Sequence, residues 1–107
     1  MQVEELVKLI GLLKGSDTVA TNHPYELGAN YLIKTVTHYY TGKLAAVYSG
    51  ELVLSCVAWI ADTGRLNEAL TRGSLSEVEP IPGDVIIGRG AIVDVIRWVH
   101  ELPKEVK

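Results

Sequence analysis

Residues 31–60, "YLIKTVTHYYTGKLAAVYSGELVLSCVAWI", constrain this chain more than any other stretch. They are dense in Val, Ile, Thr and Tyr, the residues that fill pleated, half-buried surfaces. Residues 31–40 read as one strand. Residues 42–60 read as a hairpin turning at Ser49-Gly50, a pair suited to positive φ. In the second arm Leu52, Leu54, Cys56 and Ala58 alternate with Val53, Ser55, Val57 and Trp59. Both sets are largely apolar, so this strand is expected at the centre of a sheet and covered on both faces. Cys56 is then expected to be a core thiol.

The flanks follow from that centre. Val3, Leu6, Val7, Ile10 and Leu13 recur at spacings of three and four, which predicts an amphipathic helix over 3–14 that ends at Gly15. Residues 16–30 are rich in Ser, Thr, Asn and Gly and read as a connection, with turns near Pro24-Tyr25 and Gly28 and a short extended piece at 18–20. Residues 61–84 form a variable loop with a short helix near 65–72, where Leu66 and Leu70 are four apart and Gly73 follows. Residues 85–98 make two short strands bent at Gly88-Arg89-Gly90, and the polar tail 100–107 is expected to fray. Trp59 and Trp98, near strand ends, read as core or subunit contacts.

At 107 residues the chain makes one domain. It is 48% hydrophobic and 21% charged, too apolar for disorder. Its net charge of −3 is no electrostatic footprint for non-specific nucleic-acid binding. The single cysteine excludes an internal disulfide and suits a reducing compartment. No apolar run approaches the roughly 20 residues that span a bilayer. A cytoplasmic location is expected, or a virion-associated one for a phage protein. His23, His38, His100 and Cys56 lack the close paired spacings of a zinc site, and nothing resembles a nucleotide loop, so no metal or cofactor is expected.

"WIADTGR" (59–65) contains Asp62-Thr63-Gly64, which looks like an aspartic-protease signature, and "VIIGRG" (85–90) looks like its companion. A homodimer could then pair Asp62 with its own copy, two close carboxylates sharing one proton. The surroundings do not fit. The triplet comes late, the stretch after it holds a helix and two prolines where a long flap hairpin is needed, and Arg65 stands where a small residue is usual. Asp-Thr-Gly is also good turn and cap chemistry at a strand end.

The segment order is that of a small, strongly bent, five-stranded antiparallel barrel preceded by a helix. Here the sequence resembles the Sm-like (LSm/Hfq-like) family. Gly42-Lys43-Leu44-Ala45-Ala46-Val47-Tyr48 followed by "GELVL" is similar to its first motif, and "VIIGRGAIVDV" to its second, with 61–84 as an enlarged variable loop. The resemblance implies a mainly β, Sm-like/SH3-like barrel whose edge strands pair between subunits in a ring of about five to seven copies. It points to a non-enzymatic structural or assembly role. It also implies, as the alternative, RNA binding through non-standard residues at Lys43, Tyr48, Glu51, Arg89 and Gly90. Tyr48 and Glu51 replace the family's usual Asp and Asn, and Gly90 replaces the bacterial His. A stacking surface of His38, Tyr39, Tyr40 and Tyr48, helped by Lys34, Lys43 and Arg89, is the matching base-contact expectation. Tyrosines packing a half-buried face are the simpler account.

Overall fold

A computed structural model describes residues 22–107. The helix expected over 3–14 and the extended piece at 18–20 lie outside the described residues. The elements are β1 (Asn30–Thr35), β2 (Tyr39–Val47), β3 (Glu51–Asp62), α1 (Leu66–Arg72), β4 (Glu77–Pro80), β5 (Val85–Gly88), a 3₁₀ turn (Arg89–Ala91) and β6 (Ile92–Arg97). All pairings are antiparallel, in the order β4-β3-β2-β1-β6, with β5 also on β3. The fold is mainly β, with one short helix among the described residues.

Three expectations about the strands need correction. The predicted single strand 31–40 is two, because the chain turns at Val36-Thr37-His38. No glycine or proline marks this turn. Thr35 makes it instead: its hydroxyl donates to the His38 carbonyl and accepts the His38 N–H, each at 2.9 Å. The predicted five strands are six, since residues 77–80 leave the variable loop to pair with β3. Residues 77–88 run back along the whole of β3, from Asp62↔Glu77 to Glu51↔Gly88, interrupted around Ile81–Asp84 where Pro82 cannot donate. Finally, the sheet is not a closed barrel among the described residues: β4 and β6 end the path and do not pair with each other.

The sheet is covered on both faces, as β3 requires. Tyr31, Ile33, Leu44, Val47, Leu52, Leu54, Val57 and Ile87 form one core. Leu32, Ala58, Ile60, Ala69, Leu75, Val78 and Trp98 form a second on the other side. Strand alternation sends Tyr31 and Ile33 one way and Leu32 the other. On β3 the alternation changes phase. Leu52, Leu54 and Val57 share the first core, while Ala58 and Ile60 belong to the second. The slip falls at Cys56, whose φ of 51° marks an irregular residue within the strand. Cys56 is therefore exposed, not the expected core thiol.

The Ser49-Gly50 turn forms as predicted, closed by Tyr48 N–H to the Glu51 carbonyl at 2.8 Å, but neither residue takes positive φ. α1 also forms where predicted. Gly73, at φ 73°, ends it in the left-handed conformation, and its N–H returns to the Ala69 carbonyl. Ala69 faces the second core, whereas Leu66 is exposed. The tail does not fray. Trp98 is buried and donates Nε1 to the Glu101 carbonyl at 3.1 Å. His100 Nε2 donates to the Leu70 carbonyl at 2.8 Å, and Lys107 exchanges backbone hydrogen bonds with Val78. Its polar residues ride over a chain anchored by Trp98 and Leu102, which a composition count could not reveal.

Candidate functional site

Four of the five residues named above for RNA contact come together. The β2–β3 turn and the 3₁₀ turn meet at one corner, where Arg89 N–H donates to the Gly50 carbonyl at 2.9 Å. Arg89 Nη1 donates to the Tyr48 carbonyl at 3.1 Å and to the Ser49 carbonyl at 3.4 Å. Glu51 pairs with Gly88 at the same end of β3, and Gly90 is exposed in the 3₁₀ turn. Lys43 is not part of this corner. It pairs with Asn30 and Ser55 farther along β2 and lines a separate hollow with Cys56, Pro80 and Leu102.

The corner carries one guanidinium, and that group spends part of its donor set on the turn it braces. It also stacks over Tyr25, 5.6 Å from the ring centroid. Next to it Arg97 lies 5.2 Å from the Tyr31 ring centroid and pairs with Glu26 at 2.9 Å. This arrangement fixes the two turns firmly. As a phosphate binder it offers only the guanidinium hydrogens that the carbonyls leave over.

The expected stacking surface does not assemble. Tyr39 and Tyr40 are consecutive on β2 and so face opposite ways. Tyr39 packs on the second core under Lys34, whose Nζ is 5.8 Å from its ring centroid, and Tyr40 packs on the first. Tyr48 is at the far end of the strand. What forms instead is a cleft of about 290 Å³ lined by His38, Tyr40, Trp59, Glu79 and the Pro80–Pro82 segment. Tyr40, Trp59 and Glu79 are register partners across β2, β3 and β4. The His38 ring is 5.8 Å from Tyr40 and 5.7 Å from Trp59, centroid to centroid. Sequence reasoning missed this group because Glu79 stood in a loop with no expected strand, so nothing placed it beside Trp59.

The Asp-Thr-Gly triplet is a turn. Asp62 Oδ1 accepts the Gly64 N–H at 2.8 Å, spanning two residues as an Asx turn does. Asp62 does not cap α1, whose N-cap is Arg65 with no side-chain bond. The stretch that a flap would occupy is α1 and β4. Among the described residues, no group of three or more His, Cys, Asp or Glu is placed to hold a metal ion. No described helix is long and apolar enough to cross a membrane. No protein-family model, curated protein or solved structure matches the chain.

Proposed function

We propose that this chain is a non-enzymatic Sm-like interaction module that assembles into rings through its strand edges. The observation that carries this reading is the contrast between the edges. At β4, Lys107 already occupies the outer side of Val78. β5 has only β3 beside it and β6 only β1 among the described residues, so each keeps a bare side. These two strands also expose Ile86 (64%) and Val93 (57%), large apolar side chains left uncovered among the described residues. Bare edges of this kind are templates for pairing with another copy. Because the two edges differ, their union is head-to-tail, and such contacts close into rings when the rotation permits. The strand order also supports this reading: a three-strand meander, a return along β3, a 3₁₀ corner, then β6 back on β1, in a sheet left unclosed among the described residues.

Native mass spectrometry of the full chain tests the proposal. A closed species of about five to seven subunits is expected. Ile86→Lys and Val93→Lys should each shift it toward monomer while circular dichroism stays that of the parent. A strict monomer at tens of micromolar overturns the ring.

The corner at Tyr48, Glu51, Arg89 and Gly90 favours a second reading, in which such a ring binds RNA at that corner. Retardation of short A-rich or U-rich RNA at low salt, lost on adding salt and on Arg89→Ala, is its signature. No binding at low salt sinks it.

A further inference from the structure

The aromatic cleft on β2–β4 stands apart from the corner and from both bare edges. We propose that it is a binding site for a quaternary ammonium group. Its floor is a row across three strands: the Tyr40 phenol, the Trp59 indole and the Glu79 carboxylate, each in register with the next. Side chains directly opposite on neighbouring strands sit close enough to be touched by one small group. His38 closes one side against both Tyr40 and Trp59. The Pro80–Pro82 segment forms the other wall, and its two prolines contribute no N–H donors.

Charge selects the class of ligand. Glu79 is the one fully charged side chain lining the cleft, and no Lys or Arg lines it. A phosphate or carboxylate would meet a like charge and find few donors. A cation would meet aromatic faces, whose quadrupoles attract it, and a carboxylate. Three of the molecule's other four tyrosines make the point by contrast. Tyr25, Tyr31 and Tyr39 each hold an arginine or lysine of the chain itself within 6 Å. Among the described residues, Tyr40 and Trp59 have no such cation and Glu79 has no ion pair.

Methylation refines the choice. A primary ammonium has three strongly hydrated N–H donors, and one exposed carboxylate at the rim cannot replace that hydration. An N-trimethylated nitrogen keeps the charge, needs no acceptors and presents methyl groups to the rings. A cavity of about 290 Å³ suits a head group of this size better than a whole drug-like molecule. The site is independent of ring formation, since neither β5 nor β6 contributes to it.

The experiment is a titration of the ¹⁵N-labelled full chain, at constant ionic strength, with tetramethylammonium, choline and Nε-trimethyl-lysine. The neutral isostere 3,3-dimethyl-1-butanol serves as control. Saturable shifts of the Trp59 indole and Tyr40 amide resonances are expected for the cations, with the Trp98 indole unmoved. The isostere should bind about tenfold more weakly, and Glu79→Gln should weaken choline about three- to tenfold. Trp59→Ala should abolish the shifts. Should that variant fail to fold, the exposed Glu79→Gln substitution carries the test alone. Stronger binding of Nε-trimethyl-lysine than of choline assigns the group to a partner's side chain, and the reverse order to a free or lipid-borne head group. No saturable shift at tens of millimolar, or equal binding of the isostere, overturns the proposal.

Discussion

The two cores of this molecule lie on opposite faces of one sheet and are held in different ways. The first is filled almost wholly by strands that pair with one another, with Leu52 and Leu54 of β3 at its centre. The second uses β1 and β3 as a floor and brings its roof from elsewhere: Ala69 from α1, Leu75 from the loop after it, and Trp98 from beyond β6. That roof is pinned by few polar contacts, notably His100 to the Leu70 carbonyl and Lys107 to Val78. A ladder-built core forms with the sheet, whereas a roofed core also needs distant segments to dock. A small domain has little buried area to spare for either.

The sharpest way to break this distinction is to empty each core in turn. Trp98→Ala removes the largest side chain of the roof and the Nε1 bond to Glu101, and should lower stability by about 3–5 kcal/mol. Leu54→Ala should cost about 2–5 kcal/mol in the same urea titration. Hydrogen exchange separates them. With Trp98→Ala the amides of α1 and residues 98–107 should lose protection before those of β1–β3. With Leu54→Ala all should fall together. Uniform loss in both variants would show that the roof is no separate unit.

The first core was largely legible in the sequence, and the second was not, for a physical reason. Period-two alternation identifies strand faces as long as the phase holds. It holds through Leu52 and Leu54, then fails at Cys56, where an irregular residue with positive φ reverses which side chains face which core. Alternation therefore predicted a buried thiol where an exposed one stands. The helix at 66–72 was readable from its leucine spacing and Gly73, and the 3₁₀ bend from Gly88-Arg89-Gly90. The turn at 36–38 was not, because a threonine side chain does the work usually announced by glycine or proline. Of the five residues that the resemblance singled out, Tyr48, Glu51, Arg89 and Gly90 lie at one corner and Lys43 lies apart from it. The cleft needed Glu79 in register with Trp59, and no local pattern encodes a pairing between residues so far apart.

Gly42 sharpens the comparison from the ladder side. A methyl group there would lie 3.2 Å from Leu54 Cβ, 3.3 Å from Val57 Cγ2 and 3.4 Å from the Ser55 carbonyl oxygen. These atoms belong to the central strand on either side of the irregular residue, and they cannot withdraw without disturbing the first core. Gly42→Ala should therefore destabilise by about 1–3 kcal/mol despite the lower entropy of alanine in the unfolded chain. An increase in melting temperature would mean that β2 and β3 are less tightly apposed than this.

Cys56→Gly acts at the seam between the cores and should have the opposite sign. A non-glycine residue in the left-handed region costs about 1–2 kcal/mol, and glycine returns roughly 0.5–1 kcal/mol of that as unfolded-state entropy. A net gain of about 0.5–1 kcal/mol is expected, since the exposed side chain gives up no core packing. A loss of stability would show that the thiol contributes to the fold through its neighbours.

Asp62 stands at the end of β3 that feeds the second core, as the Tyr48–Glu51 hairpin stands at the end that feeds the first. Among the described residues its carboxylate does one thing, accepting the Gly64 N–H, and an asparagine Oδ1 can accept the same bond. Asp62→Asn should therefore change stability by no more than about 0.5 kcal/mol, leave the subunit number alone and leave the Leu75 and Trp98 side of the molecule intact. Asp62→Ala, which deletes the acceptor, should cost about 0.5–1.5 kcal/mol and loosen the entry to α1. That ordering, Asn silent and Ala costly, is what a turn residue gives. The reverse interest, a variant Asn that folds normally but loses a measurable peptidase activity, would return Asp62 to catalysis and overturn the non-enzymatic reading at its root.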